Sequence, residues 1–319
     1  MLRRPFGRTG MQLSALALGG HEYLPDGRSR GFNEDFRLAV TPGHVGAGYG
    51  GPRRQQVLAA AYDLGINVFD VTIDSEKQAL GDNLREMPPP YEVFVQTRAE
   101  GMCYSYDRNN RKLLDLRLLR AEVQRILGML RRETIDLFNV GLLAWSIDNA
   151  PDYLERLADN LGALKREGLM RCAVADSFSG ERLYLAMLHS GAFEALNVDL
   201  NFGDACVLES VIPQARQAGL PVIAREAFFK GELFRIGAAA GMDDPAALAR
   251  LAMKWTALQQ PDVLIVGVDN AQQLVSNAQA FETARLDNDE QIQLDRLRSV
   301  PAFTLYKEAK RREFHELPA

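Results

Sequence analysis

The sequence predicts an α/β fold of the closed (β/α)8 TIM-barrel type, on three observations. Short β-branched apolar runs alternate with longer helical patterns along the whole chain, the signature of βα units around a parallel sheet. Eight such runs stand near residues 13–18, 67–69, 92–97, 135–140, 171–174, 198–202, 221–224 and 263–266. Several, such as DVLIVGV at 262–268, are continuously apolar, which suits strands buried on both faces.

Helix boundaries support the same register. Ser75 with Gln78 and Asn270 with Gln273 form capping-box patterns, and Asp244 before Pro245 reads as N-cap then first helical residue. The helical runs at 57–64 and 157–165 stop at Gly65 and near Gly168. Two stretches exceed the repeat: a Gly-, Pro- and Arg-rich loop at 21–51 after the first strand, and 100–107 after the third. In a barrel both lie on the C-terminal face, as candidate lids. The tail at 286–319 is charged and partly helical and is expected to pack across the barrel exterior, so that the chain reads as one domain over 1–319.

Composition narrows the function. The 319 residues are 47% hydrophobic and 25% charged, enough for a large core. A net charge of −5 with dispersed Lys and Arg gives no general attraction for nucleic acid or anionic membrane. The opening MLRRPFGRTGMQLSALALGG has an apolar stretch interrupted by Gln12 and Ser14, which reads as a first strand rather than a signal peptide. No run approaches the roughly 18 apolar residues of a membrane helix. Cys103, Cys172 and Cys206 are odd in number and lack metal-ligand spacing, consistent with a reducing cytoplasm.

Six segments in order, FGRTGMQLSALALGG (6–20), AAYDLGINVFDVTIDSEKQALGDNL (60–84), TIDLFNVG, LKREGLMRCAVADSF, AREAFFKGEL and LIVGVDNAQQLVSN, resemble the aldo-keto reductases over nearly the whole chain. That resemblance implies an aldo-keto-reductase-like barrel, a small-molecule substrate and an NADP or NAD cofactor. It also implies an Asp, Tyr, Lys, His tetrad in which tyrosine protonates the carbonyl as hydride arrives. Asp70 matches the aspartate; the tyrosine has no counterpart, Arg98 stands for the lysine and Gly141 for the histidine.

The resemblance maps the cofactor contacts onto changed residues as well. Ala175 and Asp176 replace the pair that holds the nicotinamide amide, and Asn201 replaces the glutamine that grips it. Arg225 stands where an aromatic ring would stack, and Glu226 where the pyrophosphate approaches, followed by Ala227, Phe228, Lys230 and Gly231. Arg225 or Lys230 would have to offset the Glu226 charge. Gln273 replaces the basic residue for a 2′-phosphate, while Asn277, at the adenine end, is retained.

At the expected strand ends, Asp70, Arg98, Glu100, Asp176, Arg225 and Glu226, with His21 and Glu22 after the first strand, converge on one mouth. These supply candidate acids and bases and bidentate grips for an anion, with Tyr104 or Tyr106 as a replacement phenol. The plainer readings are an Asp70–Arg98 ion pair closing the barrel end, Asp74 as a helix-start residue, and Glu100 and Asp176 as loop or cap carboxylates. Mixed ligands at His21, Glu22, Asp176 and Glu226 suit a divalent ion chemically, but no ligand spacing marks them and no metal is expected. Three functions stay open: a nicotinamide-dependent oxidoreductase acting on a polar or anionic carbonyl or alcohol, a cofactor-independent lyase, isomerase or hydrolase, and a non-catalytic binding subunit.

Overall fold

The computed structural model describes residues 1, 3–20, 40–46, 49–99, 107 and 109–316. An antiparallel hairpin, β1 (Arg3–Pro5) with β2 (Gln12–Ser14), precedes eight parallel strands: β3 (Leu16–Gly19), β4 (Val68–Val71), β5 (Phe94–Arg98), β6 (Ile135–Leu142), β7 (Met170–Ser177), β8 (Ala195–Asp199), β9 (Val222–Arg225) and β10 (Val263–Val266). They close into a barrel in chain order, with β10 pairing β9 on one side and β3 on the other.

Side chains alternate across a strand, and that parity explains the burial pattern. One set, including Phe69, Val95, Phe138, Ala173, Val198, Ala224 and Leu264, faces the helices in the larger core. The other set, including Ala17, Val68, Phe94, Leu137, Val174, Ala195, Ile223 and Ile265, fills the barrel and meets Phe6, Met11 and Leu13 from the hairpin. Because the hairpin precedes β3, it plugs the N-terminal end. Polar residues can then occur only where the inward set nears the strands' C-terminal ends, which is where the mouth lies.

Helices cover the barrel: α1 (Pro52–Asp63), α2 (Asp74–Glu86), α3 (Leu116–Leu130), α4 (Trp145–Asp148), α5 (Tyr153–Arg166), α6 (Glu181–His189), α7 (Val211–Ala218), α8 (Glu232–Ala239), α9 (Pro245–Leu258), α10 (Ala271–Glu282), α11 (Asn288–Ser299) and α12 (Pro301–Phe314). Asp244 caps α9 by accepting from Ala246 N and Ala247 N, and Asn270 caps α10 by accepting from Gln273 N. The expected Ser75–Gln78 box does not form: α2 starts at Asp74, and Glu76 Oε2 accepts from Thr72 N at 2.8 Å. Asp74 is indeed a helix-start residue, ion-paired with Lys77 at 2.9 Å and Arg125 at 2.6 Å.

Three boundaries differ from expectation. The run at 13–18 is divided at Ala15 between the hairpin and β3, and Ser14, the last residue of β2, exchanges hydrogen bonds with Asn67 (2.8 and 3.0 Å). The sixth barrel strand is Ala195–Asp199, three residues earlier than the run at 198–202, since Asn201 closes a turn with Asp204. The tail helix α12 crosses the rim of the mouth rather than the barrel's flank. Tyr306 stacks on Phe229 at 5.0 Å, and the Phe314 carbonyl lies where a Cβ on Gly180 would meet it at 2.3 Å.

Two helical glycines give opposite expectations for one substitution. A Cβ on Gly81 of α2 would meet the Met129 carbonyl oxygen at 2.2 Å, whereas one on Gly128 of α3 would meet nothing within 4 Å. Gly81→Ala should therefore lower stability by roughly 1–3 kcal/mol through overpacking, and Gly128→Ala should raise it by up to about 1 kcal/mol. Urea unfolding of the two variants reads both signs.

Candidate active site

The mouth is the polar continuation of the barrel's inward set. Asp70 pairs in register with Gln96, Arg98 with Asn139, Gly141 with Asp176, Asp176 with Asn197, and Asp199 with Arg225. A cavity of about 230 Å³, part of it open to solvent, is lined by Asp70, Thr97, Arg98, Asn139, Asn197 and Arg225 among others.

Arg225 dominates the electrostatics. Its Nη1 and Nη2 grip Asp176 in a bidentate pair at 2.7 and 2.9 Å, while Nε donates to Asp199 at 2.6 Å. Asp176 is fully buried, and a buried carboxylate needs such a partner. Although burial works against it, the Arg225 charge holds the Asp199 carboxyl below its ordinary range. Asp199 carried no signal in the sequence reading, because its role follows from the β8 register.

Asp70 is held differently from the expected ion pair. Gln96 Nε2 donates to its Oδ1 at 2.9 Å, and Arg98 and Arg225 act on it through their fields. Burial raises the Asp70 pKa above the ordinary carboxylate value, Asp176 adds to the rise, and Gln96 and the two arginines oppose it. Arg98 and Arg225 flank the Phe178 ring, with guanidinium carbons 5.9 and 5.6 Å from its centroid. A Cβ at Gly141 would meet Phe178 Cε2 at 2.3 Å, so the ring occupies the place a side chain there would need.

The remaining predicted residues separate from the mouth. Asn201 spends its side chain locally: Oδ1 accepts from Gly203 N and Asp204 N, and Nδ2 donates to the Glu226 carbonyl at 3.0 Å. The resemblance assigned the amide grip to Asn201, whereas the amide of β8 that lines the cavity is Asn197. The Glu226 carboxylate turns to Lys230 at 2.9 Å, and burial followed by the Asp199 charge raises its pKa. Glu226, Phe229 and Lys230 all have left-handed φ (64°, 58° and 55°), a strain of roughly 1–3 kcal/mol each that the Asn201 bond and the Tyr306 stack hold in place. Phe228 packs against Phe234, Gly231 precedes α8, and Asn277 is buried on α10. His21, Glu22, Glu100, Cys103, Tyr104 and Tyr106 lie outside the described residues, as does most of both candidate lids. Among the described residues, no group of three or more His, Cys, Asp or Glu side chains is placed to hold a metal ion. None of the described helices is long and apolar enough to cross a membrane.

The family model for the aldo/keto reductase family matches residues 46–237. Solved structures similar to this chain include a glycerol dehydrogenase from Gluconobacter oxydans (TM-score 0.63, 19% identity, 93% of this chain and 94% of that one covered). An aldo-keto reductase from Bacillus halodurans in its holo form is similar at TM-score 0.63 and 17% identity, covering 93% and 96%. One from Klebsiella pneumoniae in complex with NADPH gives 0.64 and 16%, covering 94% and 97%. No curated protein sequence matches. The chain belongs to the aldo/keto reductase family.

The positions the resemblance assigns to nicotinamide do not fit that group as they stand. Asp176 is bound by Arg225, Asn201 is consumed by a turn, and Arg225 is fixed at the strand end. Glu226 brings a buried Oε2 without a partner to the pyrophosphate side, and the Gln273 side chain closes the α10 cap by accepting from Asp269 N.

Arg225→Met would strand Asp176 as a buried charge, and unfolding in urea at pH 7 should show a loss of about 3–5 kcal/mol. Asp204, buried beside Lys310, gives a pH signature. Burial, aided by the Asp199, Glu313 and Glu226 charges, lifts its pKa to about 7 against the pull of Lys310. A carboxyl raised in the fold favours the native state below its unfolded pKa, and that advantage is lost as pH rises toward 7, at up to roughly 1.4 kcal/mol per unit. Asp204→Asn should flatten this decline between pH 4 and 7, as measured by thermal unfolding across that range.

Proposed function

We propose that the barrel mouth is the active site of a cofactor-independent enzyme that moves a proton on a small polar carbonyl or alcohol compound. The observation that carries this reading is Asp70. It stands at a strand end in the cavity, its pKa is raised by burial, and Gln96 occupies only Oδ1. A carboxyl whose pKa moves toward the working pH is suited to general acid–base work. In the proposed step Oδ2 of ionised Asp70 takes a proton from the carbon beside a carbonyl. The C–H electron pair becomes the enolate, the Arg98 guanidinium steadies the oxygen charge, and Asp70 returns a proton to the same carbon, so that the carbonyl is re-formed and the hydrogen exchanges with solvent.

A second reading, a nicotinamide-dependent oxidoreductase, is favoured by family membership and by the relative solved with NADPH. The exposed Lys230 ammonium and the open space around Gly231 also lie where the resemblance puts the pyrophosphate. The cofactor would supply the hydride and Asp70 with Arg98 would polarise the reacting oxygen.

Calorimetric titration with NADPH and NADH separates the two readings: no heat of binding at millimolar cofactor supports the first, and saturable binding the second. Proton transfer is read directly by deuterium uptake into hydroxyacetone in D2O, followed by NMR. Wild type should exchange, and Asp70→Asn should slow exchange by ~10²–10⁴-fold; equal rates in the two proteins would sink the role given to Asp70.

A further inference from the structure

We propose that Asp176 and Asp199 set the charge preference of the mouth. By cancelling Arg225 they make the cavity select small uncharged, hydroxyl-bearing ligands over anions. This rests on the mouth being the substrate site, and it narrows the substrate class expected from the sequence, where two arginines suggested an anion.

A guanidinium has five N–H donors, and three of those on Arg225 already go to carboxylates, Nε to Asp199 and the two terminal nitrogens to Asp176. Two arginines, Arg98 and Arg225, therefore face three carboxylates, Asp70, Asp176 and Asp199. Even with Asp70 protonated, the two cations are balanced among the described residues of the mouth, which give an entering anion no net positive field.

The rest of the lining points the same way. Asn139 Oδ1 and Asn197 Oδ1, on inward-facing strand positions, are buried without hydrogen-bond partners, and Gln96 Oε1 on the same inward set is also unpaired. All three side chains are more than nine-tenths buried. Orphaned polar atoms of this kind are costly unless a ligand or ordered water completes them. All three are amide oxygens, which accept only. A carboxylate also only accepts, so it leaves the amide oxygens unpaired. A ligand hydroxyl donates and accepts, and so serves every one of them. The enclosed room within the cavity is only about 20 Å³, space for one or two water-sized groups, so the ligand is a compact one.

Hydroxyacetone and pyruvate test the preference, being nearly equal in size and differing in charge. With NMR titration of the full chain, hydroxyacetone should bind at least about tenfold more tightly than pyruvate. Equal or tighter binding of pyruvate, or no binding of either probe at tens of millimolar, overturns the proposal. Asp199→Asn leaves the bidentate Asp176 pair intact and uncovers one positive charge, so the ratio should move toward pyruvate by about tenfold or more; an unchanged ratio also overturns it. Should that variant not fold, the wild-type ratio alone decides. Wild-type binding and wild-type deuterium exchange separate this proposal from the preceding one, because a preference for hydroxyacetone without exchange sustains this one and sinks the other.

Discussion

The contact on which the mouth depends is the grip of Arg225 on Asp176 and Asp199, which ties the ends of three successive strands, β7, β8 and β9, through one guanidinium. A carboxylate as deeply buried as Asp176 exists only with such a partner. Once the grip forms, Arg225 keeps only two of its five N–H donors for anything laid across that side of the barrel. The constraint spreads outward. Asp199, kept ionised, raises the pKa of Glu226 and Asp204, so the carboxyls around the β9 loop compete for Lys230 and Lys310, and the tail helix supplies one of those two cations.

Much of the barrel was legible because its causes are local. Apolar runs, the caps at Asp244 and Asn270, and the stops at Gly65 and Gly168 each state their structure within a few residues. What failed was local too, but weaker: β8 ends at Asp199, and the apolar Leu200 and Phe202 that follow kept the pattern running into a turn. Asn197 points into the barrel, and Asn201, at the same parity four residues on, has already left the strand.

The partnerships inside the mouth were not legible, because they join residues far apart in sequence through the closure of the sheet. Nothing in the string FVQTR reveals that Gln96 rather than Arg98 will hydrogen-bond Asp70; the β4–β5 register decides it by placing Gln96 directly opposite. Likewise Gly141 reads as a lost side chain. In the fold it is the space that Phe178 fills, and a larger residue there would have to displace the ring that lies against both arginines.

Family membership accounts for the scaffold and leaves the chemistry to be argued from the mouth, since one barrel supports many reactions. Hydride transfer asks a site to bind a flat ring against a strand end and to deliver a proton beside it. In this chain the strand end is filled by a salt-bridged guanidinium and a phenyl ring, and none of the tyrosines among the described residues lines the cavity. What the cavity keeps is one carboxyl of raised pKa, a cation on the neighbouring strand and a set of uncharged groups without partners. That inventory suits the proposed shifting of protons on a neutral polar molecule, because a carboxyl of raised pKa can take the proton and the neighbouring cation can offset the charge that appears as it moves.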